Sequence, residues 1–217
     1  MIERYTRNSD HVIQDEASLR QLYEPTHDLA MRKCLPRLGQ HAQAFIRRSP
    51  FLCIGTQSAD GKADVSPRGD PPGFVQILDP QTIAIPDRPG NNRLDTLSNI
   101  IANPCVGLLF VIPGFDDTLR LNGRATLSTD PDLLARMAVN GKAPKLAIIV
   151  AIDEVFLHCA KAFRRSQLWD PAARQDRREM PSLMKFILDE TGATPDGADE
   201  MRELDEGLEQ AYQRTMY

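Results

Sequence analysis

The chain has 217 residues, 41% of them hydrophobic and 26% charged, the balance of a globular protein and a length for one sizeable domain with an appended segment, or two small ones. Its formal net charge of −4 excludes general attraction to nucleic acid or an anionic membrane, so any anion site must be a local cluster. No apolar run approaches the roughly 20 residues that cross a bilayer.

The first fifty residues read as helices. "DEASLRQLYEP" stops at Pro25, "HDLAMRKCLPRL" near Pro36 and "QHAQAFIRRSP" at Pro50. The opening "MIERYTRNSDHVIQDE" holds no apolar stretch of the secretory kind, which points to the cytoplasm. From Phe51 the period changes to that of strands. "FLCIGTQ", "SADG" and "KADVSPRG" form a hairpin with Asp60-Gly61 at the turn, and "GFVQIL", "DPQ" and "TIAIP" form a second.

"DRPGNNRLDTLSNIIANP" reads as an amphipathic helix, with Leu94, Leu97, Ile100 and Ile101 as its stripe and Asn91 or Asn92 as its N-cap. "CVGLLFVIPG" is an apolar strand, buried on both faces or against a partner. "DDTLRLNGRATLST" alternates Leu119, Leu121 and Gly123 with Arg120, Asn122 and Arg124, as a one-sided strand does. Thr129 or Asp130 caps "PDLLARMAV", "KLAIIVAIDEVFLHCAKAF" supplies one or two strands, and a charge-rich helical tail follows from about Arg174. Six or seven short strands with few helices between them indicate a closed or partly closed antiparallel barrel.

Several chemistries have no signature here. There is no Walker A loop, no dinucleotide fingerprint and no nucleophile elbow. His11, His27, His41 and His158 have no metal-ligand spacing with each other or with the cysteines, and aromatics at 6% are too few for base stacking. Cys34, Cys53, Cys105 and Cys159 are widely separated, three of them within apolar runs, which suits small core residues better than a disulfide framework.

The informative residues are arginines in three stretches: "VSPRGDPPG", "DRPGNNR" and "KAFRRSQLWDP". Arginine near a helix start opposes the macrodipole, whose positive end favours acidic groups. Arg88 and Arg93 make physical sense there if an anion docks on the helix N-terminus between them.

In order, "VSPRG", "DRPGNNRLDTLSNIIANPCVGLLFVIPG", "TLRLNGRATLS" and "HCAKAFRRSQLWDP" resemble the FMN-binding split-barrel superfamily related to pyridoxamine 5′-phosphate oxidase, in its FMN-dependent branch rather than the vitamin-forming oxidase itself. The resemblance covers roughly Phe51 to Pro171. It implies a mostly β fold with flanking helices, a six-stranded antiparallel split β-barrel. Residues 1–50 would be a helical extension packed on the barrel, 51–171 the FMN-binding domain and 172–217 a helical tail. It implies a homodimer holding FMN at the subunit interface and acting on a small molecule. Arg88, Asn91, Asn92 and Arg93 would hold the phosphate. Ser66, Arg68 and Gly69 would line the ribityl chain and ring edge, with Thr118 and Arg120 approaching from the neighbouring subunit. Arg164, Arg165, Ser166 and Trp169 would close the pocket. The oxidase's terminal arginine–histidine element is missing from the tail, and "GNNR" replaces its Ser-Arg-Lys run, which sets pyridoxamine 5′-phosphate aside as substrate. An FMN-dependent oxidoreductase is the principal reading. A non-catalytic flavin carrier or sensor is the alternative, as is a relative that uses haem or a deazaflavin.

Overall fold

The computed structural model describes residues 11–195 and 197–217; the first ten residues of the opening segment read for a leader, and Asp196 in the tail, lie outside the described residues. The chain divides into two compact units at Cys34/Leu35. In the first, α1 (Glu16–Arg20) and α2 (Asp28–Arg32) are single turns capped by Asp15 and His27, and neither buries a residue. Among the described residues no helix is long and apolar enough to cross a membrane.

The second unit opens with α3 (Gln40–Arg48), which buries Phe45 and Ile46. Strands β1 (Phe51–Gln57) and β2 (Ala63–Gly69) pair in antiparallel register, and Gly61 at φ 85° makes the turn that Asp60-Gly61 announced. Next come β3 (Gln76–Asp79), β4 (Thr82–Pro86), α4 (Asp95–Ala102), β5 (Cys105–Val111), β6 (Thr118–Ser128), α5 (Pro131–Arg136) and β7 (Ala147–His158). The seven strands form one antiparallel sheet in the order β2-β1-β5-β6-β7-β4-β3. This is the split-barrel architecture, with seven strands where six were anticipated.

The core is built by period-two alternation. Leu52 and Ile54 of β1, Leu108 and Phe110 of β5, Leu121 of β6, and Ile148 and Val150 of β7 are fully buried, with Leu97 and Ile100 of α4 and Ile46 of α3 packed among them. In β6 the alternation is as read: Leu119, Leu121 and Gly123 face inward, and Arg120 and Arg124 are exposed. Opposite Asn122/Gly123 the register shifts by one residue, Asp153 of β7 being the extra one. A Cβ at Gly123 would stand 2.2 Å from the Ala151 carbonyl oxygen, so only glycine fits. Asp130 caps α5 by accepting from the N–H groups of Asp132 and Leu133.

Four expectations are corrected. The central helix begins at Asp95, not at the asparagines; Leu94 is its N-cap in a left-handed conformation at φ 62°. Its apolar stripe is half used, for Leu94 and Ile101 are exposed. Of the two readings of β5, burial on both faces within one chain does not hold, since one face is buried and the other half-exposed. The cysteines are not core: Cys34 and Cys53 are half-buried, while Cys105 and Cys159 are exposed. An apolar run marks a strand, but it does not say which of the strand's two faces is covered.

Past the sheet, α6 (Lys161–Ser166) leads through two short 3-10 turns to α7 (Leu183–Thr191) and α8 (Ala198–Thr215), which pack chiefly on each other.

Candidate functional site

On β2 the residues Asp64, Ser66 and Arg68 alternate with exposed neighbours and share a face with buried Thr56, Ile54 and Leu52 of β1. This polar row belongs to an edge strand beside the split in the barrel. Asp64 ties it to the central helix. Its Oδ2 accepts from Thr96 in the first turn of α4 at 3.1 Å and from Thr56 at 3.4 Å, while buried Asn99 donates to Thr56 at 3.0 Å. A buried amide that lost this partner would keep its desolvation penalty, so the network fixes α4 against the strand.

Two ion pairs then cross the split. Arg68 Nη1 reaches Asp87 at 2.7 Å, and Arg88 Nε reaches Asp70 at 2.6 Å. Each arginine passes over the aspartate of its own stretch and takes the one from the other. Together they fasten the exit of β2 to the exit of β4, two strands with no ladder between them. The second pair is the deeper: the Asp70 side chain is 1% exposed and that of Arg88 15%. Arg88 also donates from Nη2 to the Met137 carbonyl at the C-cap of α5, at 2.9 Å, satisfying a group that the helix leaves free. The Tyr217 ring lies 5.6 Å from its Cζ, and the Tyr217 hydroxyl donates to Asp70 Oδ1 at 2.6 Å. That hydrogen bond, with partial burial, raises the Tyr217 phenol above its usual value.

The cations of "DRPGNNR" therefore part company. Arg88 is turned inward and used structurally. Arg93 stays at the surface, its side chain 74% exposed, with Asp95 at 2.7 Å. Asn91 accepts from the Arg93 N–H, and Asn92 is left-handed at φ 57°. Left-handed Leu94 is strained in a way that asparagine is not, and no side chain caps the first turn of α4.

One observation tests whether a phosphate fits. Arg68 Nε is buried and has no hydrogen-bond partner. A guanidinium N–H held dry and unpaired is ready to donate, as are the uncapped N–H groups of α4. Arg68, Arg93 and the uncapped start of α4 each have donors of the kind an anionic group takes, while Arg88 in this conformation is already spent. Gly69 is exposed at the end of β2.

The third arginine stretch gathers separately, around α6. Arg164 pairs with Asp116 at 3.1 Å and is 74% exposed, and Arg165 is exposed. Ser166 donates to the Phe163 carbonyl, and Trp169 Nε1 donates to the Phe115 carbonyl at 2.8 Å, its ring tilted against Phe163. Thr118 is buried at the start of β6, opposite His158; Arg120 stands outward over the Phe156 ring. The outward side of β1, β5 and β6 also holds a groove of about 480 Å³, lined among others by Gly55, Gln57, Val65, Gly107 and Asn122.

Sequence reasoning missed Asp64, Asp70, Asp87 and Tyr217, which decide what the arginines do. A signal existed for two of them. "PRGD" and "PDR" each place an aspartate within two residues of an arginine. The groove was also foreshadowed by glycines at outward positions of neighbouring strands, since Gly55 and Gly107 are paired.

Comparison with known proteins gives a family match. The family described as pyridoxamine 5′-phosphate oxidase matches residues 38–159. No curated protein matches. Solved structures that resemble the chain include HupZ from Group A Streptococcus, with 18% identity over 55% of this chain and 93% of that one, at a TM-score of 0.46. A putative pyridoxamine 5′-phosphate oxidase from Lactobacillus delbrueckii has 20% identity over 56% and 95%, at 0.44. An FMN-binding protein from Syntrophomonas wolfei has 10% identity over 66% and 97%, at 0.42.

Proposed function

Because the chain belongs to the pyridoxamine 5′-phosphate oxidase family, we propose that it is an FMN-dependent oxidoreductase, a cytoplasmic homodimer acting on a small organic substrate. The observation that carries this reading is the buried, unpartnered Nε of Arg68, on the strand whose Asp64 holds the first turn of the uncapped α4. Arg68 and Arg93 would bind the phosphate. Arg93 would exchange Asp95 for it at little cost, since an exposed ion pair contributes little. Ser66 lies one turn of the strand pleat from Arg68 on the same face and would hydrogen-bond the ribityl chain.

Bound FMN would supply the hydride and electron transfer. The groove over Gly55 and Gly107 offers a flat floor of the kind a planar ring needs, with Val65 at its side. Val65 and Ile101 are 69% and 77% exposed, apolar surface that a second copy would cover. Arg120, exposed on β6, would approach the ring from the partner, whereas Thr118 is buried within its own chain. Arg164, Arg165 and Trp169 would exclude water from the ring's open end, with a cation near its pyrimidine edge. Asn91 and Asn92 would line the phosphate side, with Gly69 leaving room along the strand.

The test is FMN titration followed by fluorescence quenching, with riboflavin in parallel. Losing one charge-assisted hydrogen bond to phosphate costs about 1.5–3 kcal/mol, so Arg68→Ala is expected to weaken FMN at least tenfold. Riboflavin, which lacks the phosphate, should bind both forms alike. Colourless protein that leaves FMN fluorescence unquenched would sink the reading. Bound FMN that NAD(P)H never reduces would favour the carrier or sensor, and an absorbance scan of the isolated protein separates flavin from haem and deazaflavin.

A further inference from the structure

Residue 217 follows α8 in sequence, yet its side chain rests on the barrel. The Tyr217 hydroxyl donates to Asp70 Oδ1 at 2.6 Å, the ring covers Arg88, and Lys142 Nζ donates to the Tyr217 main-chain oxygen at 2.8 Å. Both oxygens of Asp70 are thereby filled, Oδ1 by Tyr217 and Oδ2 by Arg88. Residue 217, following α8, thus ties the end of this helical pair to the barrel.

We propose that Tyr217 is a latch: with it seated, Arg88 is locked onto Asp70, and with it withdrawn, Arg88 becomes a binding group for a phosphate-type anion at the split. The proposal rests on the phosphate reading and deepens it, because it says when Arg88 joins Arg68 and Arg93. The physics is that of a covered ion pair. Under the ring, Asp70 is almost inaccessible to water and its attraction for Arg88 is scarcely screened. With the ring gone, water reaches the pair, the attraction falls toward that of a surface ion pair, and a dianion outcompetes a single carboxylate. The latch is built to open: the hydroxyl and the ring act at one residue, and both are lost in one motion.

The experiment uses the full chain and inorganic phosphate at ionic strength matched with chloride, read as a shift in thermal unfolding across a phosphate titration. Tyr217→Ala is expected to bind phosphate about tenfold more tightly than the wild type, the scale set by one charge-assisted hydrogen bond. Tyr217→Phe keeps the ring over Arg88 and should fall between them, and it carries the test should the alanine variant be unstable. Arg88→Ala placed on Tyr217→Ala must abolish the gain. Equal phosphate affinity in the wild type and both Tyr217 variants overturns the latch, as does a gain that survives Arg88→Ala. FMN titration of the same proteins separates the two readings. A phosphate gain in proteins that bind no FMN leaves the latch standing and removes the flavin. FMN binding without any phosphate gain does the reverse.

Discussion

The split of the barrel and the α6 corner both read as arginine clusters, and folding gives them opposite characters. At the split, Arg68 and Arg88 are taken out of water, and each is matched to an aspartate across the gap. At α6, Arg164 keeps 74% exposure and a single loose partner, Asp116, and Arg165 is exposed. The lesson is that burial, not residue type, sets what a guanidinium does. A buried arginine must have its partners before any ligand arrives, and whatever N–H remains unmatched marks where a ligand would sit.

The sharpest break of this comparison is Asp70→Ala. It strands the Arg88 charge beneath Tyr217, and removing one partner of a buried pair costs about 3–5 kcal/mol; urea denaturation should show that loss. Asp87→Asn comes next. The amide can still accept from Arg68 but carries no charge, so about 1–2 kcal/mol is expected on the same assay, within the range of a charged hydrogen bond. Asp116→Ala at the α6 corner should change stability by less than about 1 kcal/mol, the scale of exposed pairs. If Asp116→Ala cost as much as Asp70→Ala, the contrast between the two regions would be lost.

The subtlest effect is one of pH. The Tyr217 phenol is raised by its hydrogen bond to Asp70, then by burial and the Asp70 charge, against which Arg88 acts. A group whose folded pKa lies above its unfolded one stabilises the fold fully below the unfolded value and ceases to as pH passes the folded one. The contribution of the Tyr217 phenol to the seated tail should therefore be constant up to about pH 10, the unperturbed tyrosine value, and be lost above it. Phenolate absorbance should reveal a late-ionising component, and that signal should vanish in Tyr217→Phe.

Much of the fold was legible because it is local. Asp60-Gly61 turned the first hairpin, Asp130 capped α5, and the alternation through Leu119, Arg120 and Leu121 held on β6. The site was legible only as a set of cations. The helix start was misread because Asn91 and Asn92 are good caps by chemistry, yet α4 is fixed from the other side, by Thr96 and Asn99 through Asp64 and Thr56. That anchoring sets where the first turn begins and leaves Leu94, a poor left-handed residue, as its cap.

By itself, then, the sequence determined the strands, their turns and, where polar and apolar residues alternate as on β6, the inward face, since these depend on neighbours one to four residues away. Only the tertiary structure decided the partners of Arg68 and Arg88, because those contacts join segments 18 and 19 residues apart. The seat of Tyr217 spans 147 residues. No local pattern encodes which of several aspartates an arginine will meet; the closing of the barrel chooses it.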